Sequence, residues 1–139
     1  MTAAIADRNT RSREGVVFEH PVKGATKIYA GTMVAIDPAN NLAIPGKTGV
    51  GLKSIGVAQA FTDNSAGTDG DIRVRVFRGQ GSIYRFANSG GADLIALGDI
   101  QADCYMVDDS TVAKTNGTNT RSVAGKIRDV DANGVWVEF

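Results

Sequence analysis

The sequence contains one cysteine, Cys104, and one histidine, His20, among its 139 residues. One cysteine excludes an intrachain disulfide and any zinc site built on several cysteines. Because Cys104 stands in the apolar run 104–107, we expect it to be a small buried hydrophobic residue. A Ser-His or Cys-His catalytic pair would need His20, which precedes Pro21 at a predicted strand end, and no Gly-x-Ser-x-Gly motif is present. We therefore predict no catalytic residues, no cofactor and no metal, and expect that the protein is not an enzyme.

The chain also lacks an excess of charge of either sign. Its 15 Lys and Arg residues are balanced by 15 Asp and Glu residues. Proteins that bind nucleic acid usually carry a basic excess, because neutralised phosphates supply most of the affinity, so we expect no nucleic-acid partner. No stretch approaches the roughly 18 apolar residues of a membrane span, and residues 1–8 have no signal-peptide core, so we expect no membrane partner and synthesis in a reducing cytoplasm.

Glycine is abundant, with 17 residues, and hydrophobic residues make up an ordinary 42% of the chain. Such a composition is typical of a globular protein with many turns, and the length fits one domain. From residue 15 onward, short β-type runs alternate with turn clusters, and the one plausible helical piece, residues 91–97, is short. This pattern predicts an all-β fold, a compact barrel or sandwich of about eight short antiparallel strands. We predict a polar N-terminal arm, residues 1–14, and a single β domain, residues 15–139.

The last part of the sequence predicts a β-hairpin. An Asn133-Gly134 pair supplies the two residues that most readily accept positive φ in a tight turn. In the returning segment, residues 135–139, alternation puts Val135 and Val137 on the same face. We expect this segment to be paired within a sheet rather than to trail from it.

A weak internal similarity relates two parts of the chain. Each part has a strand, an Asp-containing turn, a short strand and then a longer strand. The matching segments are 31–37 with 104–109 and 42–44 with 111–113, and the longer strands start near Ser54 and Ser122. The pattern indicates pseudo-symmetry but is too degenerate to define a repeat.

Two acidic loops resemble cation sites. Residues 129–134 match the first positions of an EF-hand loop, but its bidentate glutamate would fall after residue 139. The loop of residues 63–71 offers Asp63, Asp69 and Asp71 as oxygen ligands. Clusters of this kind usually form turns, so we interpret both segments as turns.

Several segments resemble the capsid decoration, or cement, proteins that tailed phages encode beside the major capsid protein. The segments are 6–10, Gly15, 28–31, 63–67 through Asp71, 105–112, 120–125 and 130–137. The resemblance implies a structural protein on the outer capsid surface of the virion. It also implies that the major capsid protein is the partner. It further implies a homo-oligomer, most often a trimer, that lies where capsomers meet.

Arginines are the candidate partner-binding residues. Arg73, Arg75 and Arg85 fall on two predicted strands that follow each other, and they indicate either a solvated sheet face or a contact with an acidic surface. The arm is either a disordered tail or an extension that orders on a partner. The predicted set is Arg8, Arg11, Arg13, Arg73, Arg75 and Arg85.

Two functions compete at this point. The first is a cement protein that binds and stabilises an assembled capsid. The second is a small β-barrel that binds a ligand or receptor, such as a glycan, on a phage particle. A glycan site would need exposed aromatic rings, and we expect only Tyr84, Phe86 and Trp136 to be able to supply them.

Overall fold

The structure, a computed structural model, describes residues 3, 5–9, 11, 15–79 and 81–139. Its strands are β1 (Val17–Pro21), β2 (Thr26–Ile28), β3 (Met33–Asp37), β4 (Leu42–Pro45), β5 (Lys53–Ala58), β6 (Thr62–Asn64), β7 (Arg73–Phe77), β8 (Ile83–Asn88), β9 (Asp103–Met106), β10 (Thr111–Ala113), β11 (Val123–Asp131) and β12 (Gly134–Glu138). The predicted all-β fold is confirmed. The described residues form twelve strands rather than about eight, because several of the β-type runs are separate short strands and the three-residue strand β6 falls in a segment interpreted as a turn. The predicted helical piece, residues 91–97, contains only one short 3-10 turn, Gly91–Asp93, and a second, Leu97–Asp99, begins at its last residue.

Ten of the strands form two five-stranded sheets. The N-terminal sheet has the order β1-β7-β5-β3-β4, and the C-terminal barrel closes in the order β10-β8-β12-β11-β9. Neighbouring strands are antiparallel except for β8 and β10, which are parallel. The remaining strands, β2 and β6, form a separate antiparallel pair, which we call the ribbon.

The two sheets have the same topology. If β1, β3, β4, β5 and β7 are matched in chain order with β8, β9, β10, β11 and β12, every pairing of one sheet has its counterpart in the other. The closure of the barrel also has a counterpart, because a parallel bridge joins Val22, just after β1, to Ala43 of β4. The amide of Lys23 donates to the carbonyl of Ala43, and that of Ser89 donates to Val112, both at 3.1 Å.

The register of the two sheets is also shared. Gly56 of β5 faces Val34 of β3, and Gly125 of β11 faces Cys104 of β9. In each case the register then shifts by one bulged residue. The internal similarity of the sequence is therefore confirmed in the topology, and segments 42–44 and 111–113 are matched residue for residue.

The strand pairing sets the alignment of the other matched segment, which the sequence left open. It makes Met106 the counterpart of Ile36. Sequence likeness between short apolar strands carries little register information, because each face only requires some hydrophobic residue at every second position.

Two apolar clusters stabilise this arrangement. One lies within the N-terminal sheet and includes Val34, Val74 and Val76. The other fills the C-terminal barrel and also takes in Met33 and Ala35 from the opposite face of β3. Since successive residues of β3 enter different clusters, the N-terminal sheet is covered by apolar side chains on both faces, and the two sheets share one core.

The C-terminal hairpin is confirmed, and β12 lies inside the barrel between β11 and β8. The role predicted for the Asn-Gly pair was wrong. Asp131 pairs with Gly134, so the two turn residues are Ala132 and Asn133, and Asn133 does not have a positive φ. Gly134 begins β12 with φ +149°, and a Cβ there would lie 2.3 Å from the carbonyl oxygen of Phe86. The glycine is required by the close approach of β8 rather than by the turn.

Candidate interaction surface

Arg73 and Arg75 project from β7, whose alternate residues Val74 and Val76 are buried. The Nε atom of Arg75 lies 3.4 Å from Oε1 of Glu19 on the neighbouring strand. Arg73 donates through Nη2 to the backbone carbonyl of Glu19 at 2.9 Å. Glu19 therefore neutralises part of this exposed basic face, and the pair carries less net positive charge than the sequence alone implies.

Arg85 does not lie beside those two arginines. It is on β8 in the C-terminal barrel, whereas β7 belongs to the N-terminal sheet, so the interpretation of one basic patch on adjacent strands was wrong. Two β-runs that follow each other in sequence usually form a hairpin, but here each joins a different sheet. The guanidinium of Arg85 instead lies over the ring of Trp136, 5.8 Å from its centroid.

The position of Arg85 has a counterpart in the N-terminal sheet. Arg85 faces Trp136 across β8 and β12, and Glu19 faces Arg75 across β1 and β7. These two facing pairs occupy equivalent positions in the two sheets. One sheet thus has an ion pair where the other has a cation–π contact. The two faces are equivalent in geometry but differ in charge.

The arginines of the arm are placed only in part. Arg8 and Arg11 are exposed, and Arg13 lies outside the described residues. A role for Arg8, Arg11 and Arg13 in binding a partner stays a prediction.

Of the three aromatic residues predicted to escape the core, only Trp136 lies outside it, half-buried beneath Arg85. Phe86 is buried in the core of the barrel, and Tyr84 packs against the same core. Tyr29 and Phe61 are instead 56% and 52% exposed, and their rings stack with centroids 5.2 Å apart. They flank the ribbon, the element that has no counterpart in the C-terminal barrel. Sequence reasoning missed Phe61 because the apolar alternation that starts near Ser54 continues to it, whereas β5 ends at Ala58.

The acidic loop after Phe61 is organised by hydrogen bonds within the protein. Buried Asn64 donates through its side-chain amide to the carbonyls of Val22, Lys23 and Thr68. Asp69 accepts from the amide of Gly24 at 2.8 Å. No group of three or more His, Cys, Asp or Glu side chains able to hold a metal ion is found in the part of the chain that the structure describes.

A cleft of about 510 Å³ opens between the two sheets, and we call it the inter-sheet cleft. Equivalent segments of the two sheets line the cleft. They are residues 52–54, which precede Gly56, and residues 121–123, which precede Gly125. Ser122 joins its two sides, since its hydroxyl donates to the carbonyl of Gly49 at 2.7 Å and accepts from the amide of Leu52 at 2.9 Å.

The inter-sheet cleft is lined by two basic residues, and Asp93, outside the lining, compensates the charge of one of them. Lys53 stands on one side and Arg121 on the other, and no Asp or Glu is among the lining residues. Nη1 of Arg121 is 3.0 Å from Oδ2 of Asp93 and also donates to the carbonyl of Thr115. Hydrogen bonds from Thr115 and from Arg121 lower the pKa of Asp93. Arg121 is thus held in place, whereas Lys53 is exposed and forms no ion pair with any described residue.

His20 and Cys104 lie in different parts of the fold. His20 is on β1 of the N-terminal sheet, where its ring stacks with that of Phe18 at 6.4 Å between centroids. Cys104 is fully buried inside the C-terminal barrel, and burial raises the pKa of its thiol to about 12. A thiol in this state is a poor nucleophile, so Cys104 acts as a small core residue.

The chain matches no protein-family model, no curated protein and no solved structure. Within the described residues, no helix has the length and apolar character needed to cross a membrane.

Proposed function

We propose that this protein is a structural virion protein that binds the outside of an assembled tailed-phage capsid and stabilises it. The observation that carries the proposal is the grouping of the segments that resemble cement proteins. Segments 105–112, 120–125 and 130–137 cover parts of β9 to β12, which are contiguous in the C-terminal barrel in the order β10-β9-β11-β12. Segments 28–31 and 63–71 meet at the ribbon. Most of the resembling segments are thus connected in the fold.

The proposed mechanism is mass action. A protein that binds only the assembled lattice stabilises that lattice by its free energy of binding. We expect a homo-oligomer, with a trimer as the leading candidate. It would bind several capsid subunits at once and gain affinity by multivalency. The proposed location is the capsid outer surface, after synthesis in the host bacterial cytoplasm.

Co-sedimentation with capsid shells tests the proposal. The shells should be made from the major capsid protein that the proposal expects beside this chain's gene, in mature and in unexpanded form. We expect saturable binding to mature shells and a higher shell melting temperature at saturation. Equal melting with and without the protein, or no co-sedimentation, contradicts the proposal.

The arm gives a second, separable measurement. Deleting residues 2–14 should leave the melting transition of the isolated protein unchanged and weaken oligomerisation or shell binding in a salt-sensitive way. Arginine forms paired hydrogen bonds with carboxylates, so it suits a segment that orders only on contact. If the truncated protein keeps the same oligomeric state and saturates shells at the same concentration, the arm is only a tail.

The alternative function is a glycan-binding module of a phage particle, and the stacked pair of Tyr29 and Phe61 favours it. Half-exposed rings beside polar groups are what the glycan hypothesis requires. The variants Tyr29→Ala and Phe61→Ala should then lose glycan-array signal without losing shell binding. Loss of shell binding in these variants would instead assign the ring pair to the capsid contact.

We also propose that the protein has no catalytic activity. The double variant His20→Ala with Cys104→Ala should keep shell binding, although removal of the buried thiol lowers stability. A folded double variant that no longer binds shells would contradict the assignment of these two residues as structural.

A further inference from the structure

The inter-sheet cleft is not used by the proposed function as stated above. We propose that it binds an extended acidic segment of a partner protein, whose carboxylate contacts Lys53 and Arg121. The identity of the partner rests on the proposed function, in which it is the capsid shell, but the chemistry of the cleft does not depend on it.

Charge decides what kind of group enters. Lys53 on β5 supplies an uncompensated positive charge on one side of the cleft. Arg121, just before β11, supplies guanidinium donors on the other side with its charge compensated by Asp93, and the lining itself contains no carboxylate. Asp93 holds Arg121 in position through Nη1, so its guanidinium is ordered before a ligand arrives. A preordered guanidinium loses little freedom on binding a carboxylate, and a flexible lysine can follow the same group.

The rest of the lining favours a peptide. Val50 and Val123 are 74% and 41% exposed and offer an aliphatic surface to a side chain. Tyr105, Asn116 and Asn119 add hydroxyl and amide groups that can bond a peptide backbone. The volume of about 510 Å³ lies within the range of ordinary ligand sites, and such sites often form at the junction of two packed units.

The cleft depends on differences between equivalent positions of the two sheets. Leu52 and Arg121 stand at matched positions, and so do Lys53 and Ser122. Each sheet thus contributes its cation from a different position, and neither sheet alone carries both charges. The site exists only where the two sheets meet.

The arm of a second copy is a poor occupant. Arg8, Arg11 and Arg13 would bring positive charge to Lys53 and Arg121, and like charges brought together weaken binding. The segment that fits must come from a partner with the opposite charge.

Fluorescence anisotropy with two labelled pentapeptides tests the cleft. The probe is acetylated Asp-Val-Asp-Val-Asp, and its control replaces each Asp by Asn. We expect the acidic peptide to bind about tenfold more tightly or better, and the difference to shrink with added salt. Equal affinity for the two peptides would overturn the proposal.

Matched variants locate the binding. Lys53→Glu should weaken binding of the acidic peptide by about tenfold or more. Lys23→Glu changes the net charge equally at an exposed lysine outside the inter-sheet cleft, so it should retain most of the affinity. Equal losses in both variants would mean that only net charge matters, and this also overturns the proposal. Alginate, an acidic polysaccharide, serves as a third probe, and its binding at Lys53 in place of the peptide assigns the cleft to glycans instead.

Shell binding then separates the two proposals. If wild-type protein binds shells and Lys53→Glu binds them equally well, the shell is not the partner that enters the cleft, and the proposed function stands. If wild-type protein does not bind shells, the proposed function is wrong, and the peptide measurement still decides the cleft.

Discussion

Gly56 and Gly125 occupy equivalent positions in the two sheets. A Cβ on Gly56 would lie 2.1 Å from the carbonyl oxygen of Phe77, and a Cβ on Gly125 would lie 2.3 Å from that of Glu138. Phe77 and Glu138 are themselves matched in register, on β7 and β12. In both sheets a neighbouring strand therefore approaches so closely at this point that only glycine fits.

Replacing either glycine by alanine should strongly destabilise the protein. We expect Gly56→Ala and Gly125→Ala each to lower the free energy of unfolding by about 3 kcal/mol or more, because backbone atoms must move to admit the methyl group. Gly56→Ala should lower the free energy of unfolding more than Gly125→Ala, since the φ of +121° at Gly56 is also strained for alanine. Urea unfolding followed by fluorescence of Trp136 measures both. Gly98→Ala is the control, because nothing lies within 4 Å of its Cβ position.

The hydroxyl of Ser122 should stabilise the junction of the two sheets. It is buried and bonds both Gly49 and Leu52, so Ser122→Ala leaves a buried amide and a carbonyl without this partner. We expect a loss of about 1–3 kcal/mol in the free energy of unfolding. Ser82→Ala, whose hydroxyl bonds no described residue, should change stability little. Similar losses in the two variants would contradict a specific role for Ser122.

The hairpin should lose stability in acid through Asp131. Hydrogen bonds from the indole of Trp136 and the amide of Asn133 lower its pKa below 3.8. A carboxyl whose pKa is lower in the folded state stabilises the fold above pH 3.8, and this contribution is lost as pH falls through the folded pKa. In Trp136→Phe the donor is gone, so the pKa of Asp131 should rise. Carboxyl NMR titration of both proteins measures it, and an unchanged pKa would refute the role of the indole.

The thiol of Cys104 should be unreactive in the folded protein. It is fully buried, and burial raises its pKa to about 12, so little thiolate forms at mildly alkaline pH. Ellman's reagent should report almost no free thiol in native protein and one thiol per chain after denaturation in guanidinium. Rapid reaction under native conditions would mean that the barrel opens there or that Cys104 is accessible.

Removing residues 135–139 should prevent folding into a soluble protein. The deletion takes most of β12 from the barrel and leaves β8 and β11 without their shared neighbour. Unpaired strand edges and exposed apolar side chains favour aggregation. Size-exclusion chromatography and thermal melting measure the outcome, and a monodisperse truncation with a cooperative melt would contradict the central position of β12.

The candidate surfaces show where sequence reasoning ends. Alternation along β7 correctly placed Arg73 and Arg75 on the exposed face and the alternate residues, Val74 and Val76, in the core. Alternation did not reveal that Arg85 belongs to another sheet, because strand pairing depends on contacts distant in sequence. The inter-sheet cleft was missed for the same reason: Lys53 and Arg121 are far apart in the sequence and meet only in the fold.

The sequence by itself determined the all-β class, the buried cysteine, the hairpin of β11 and β12, and the hint of a duplicated pattern. These features depend on local rules, namely side-chain alternation, turn residues and the hydrophobicity of short runs. Only the tertiary structure decided that two sheets of the same topology share a core, and where Tyr29 and Phe61 become exposed. Short apolar strands can pair in many registers with similar local energies, so the choice is made by packing over the whole molecule.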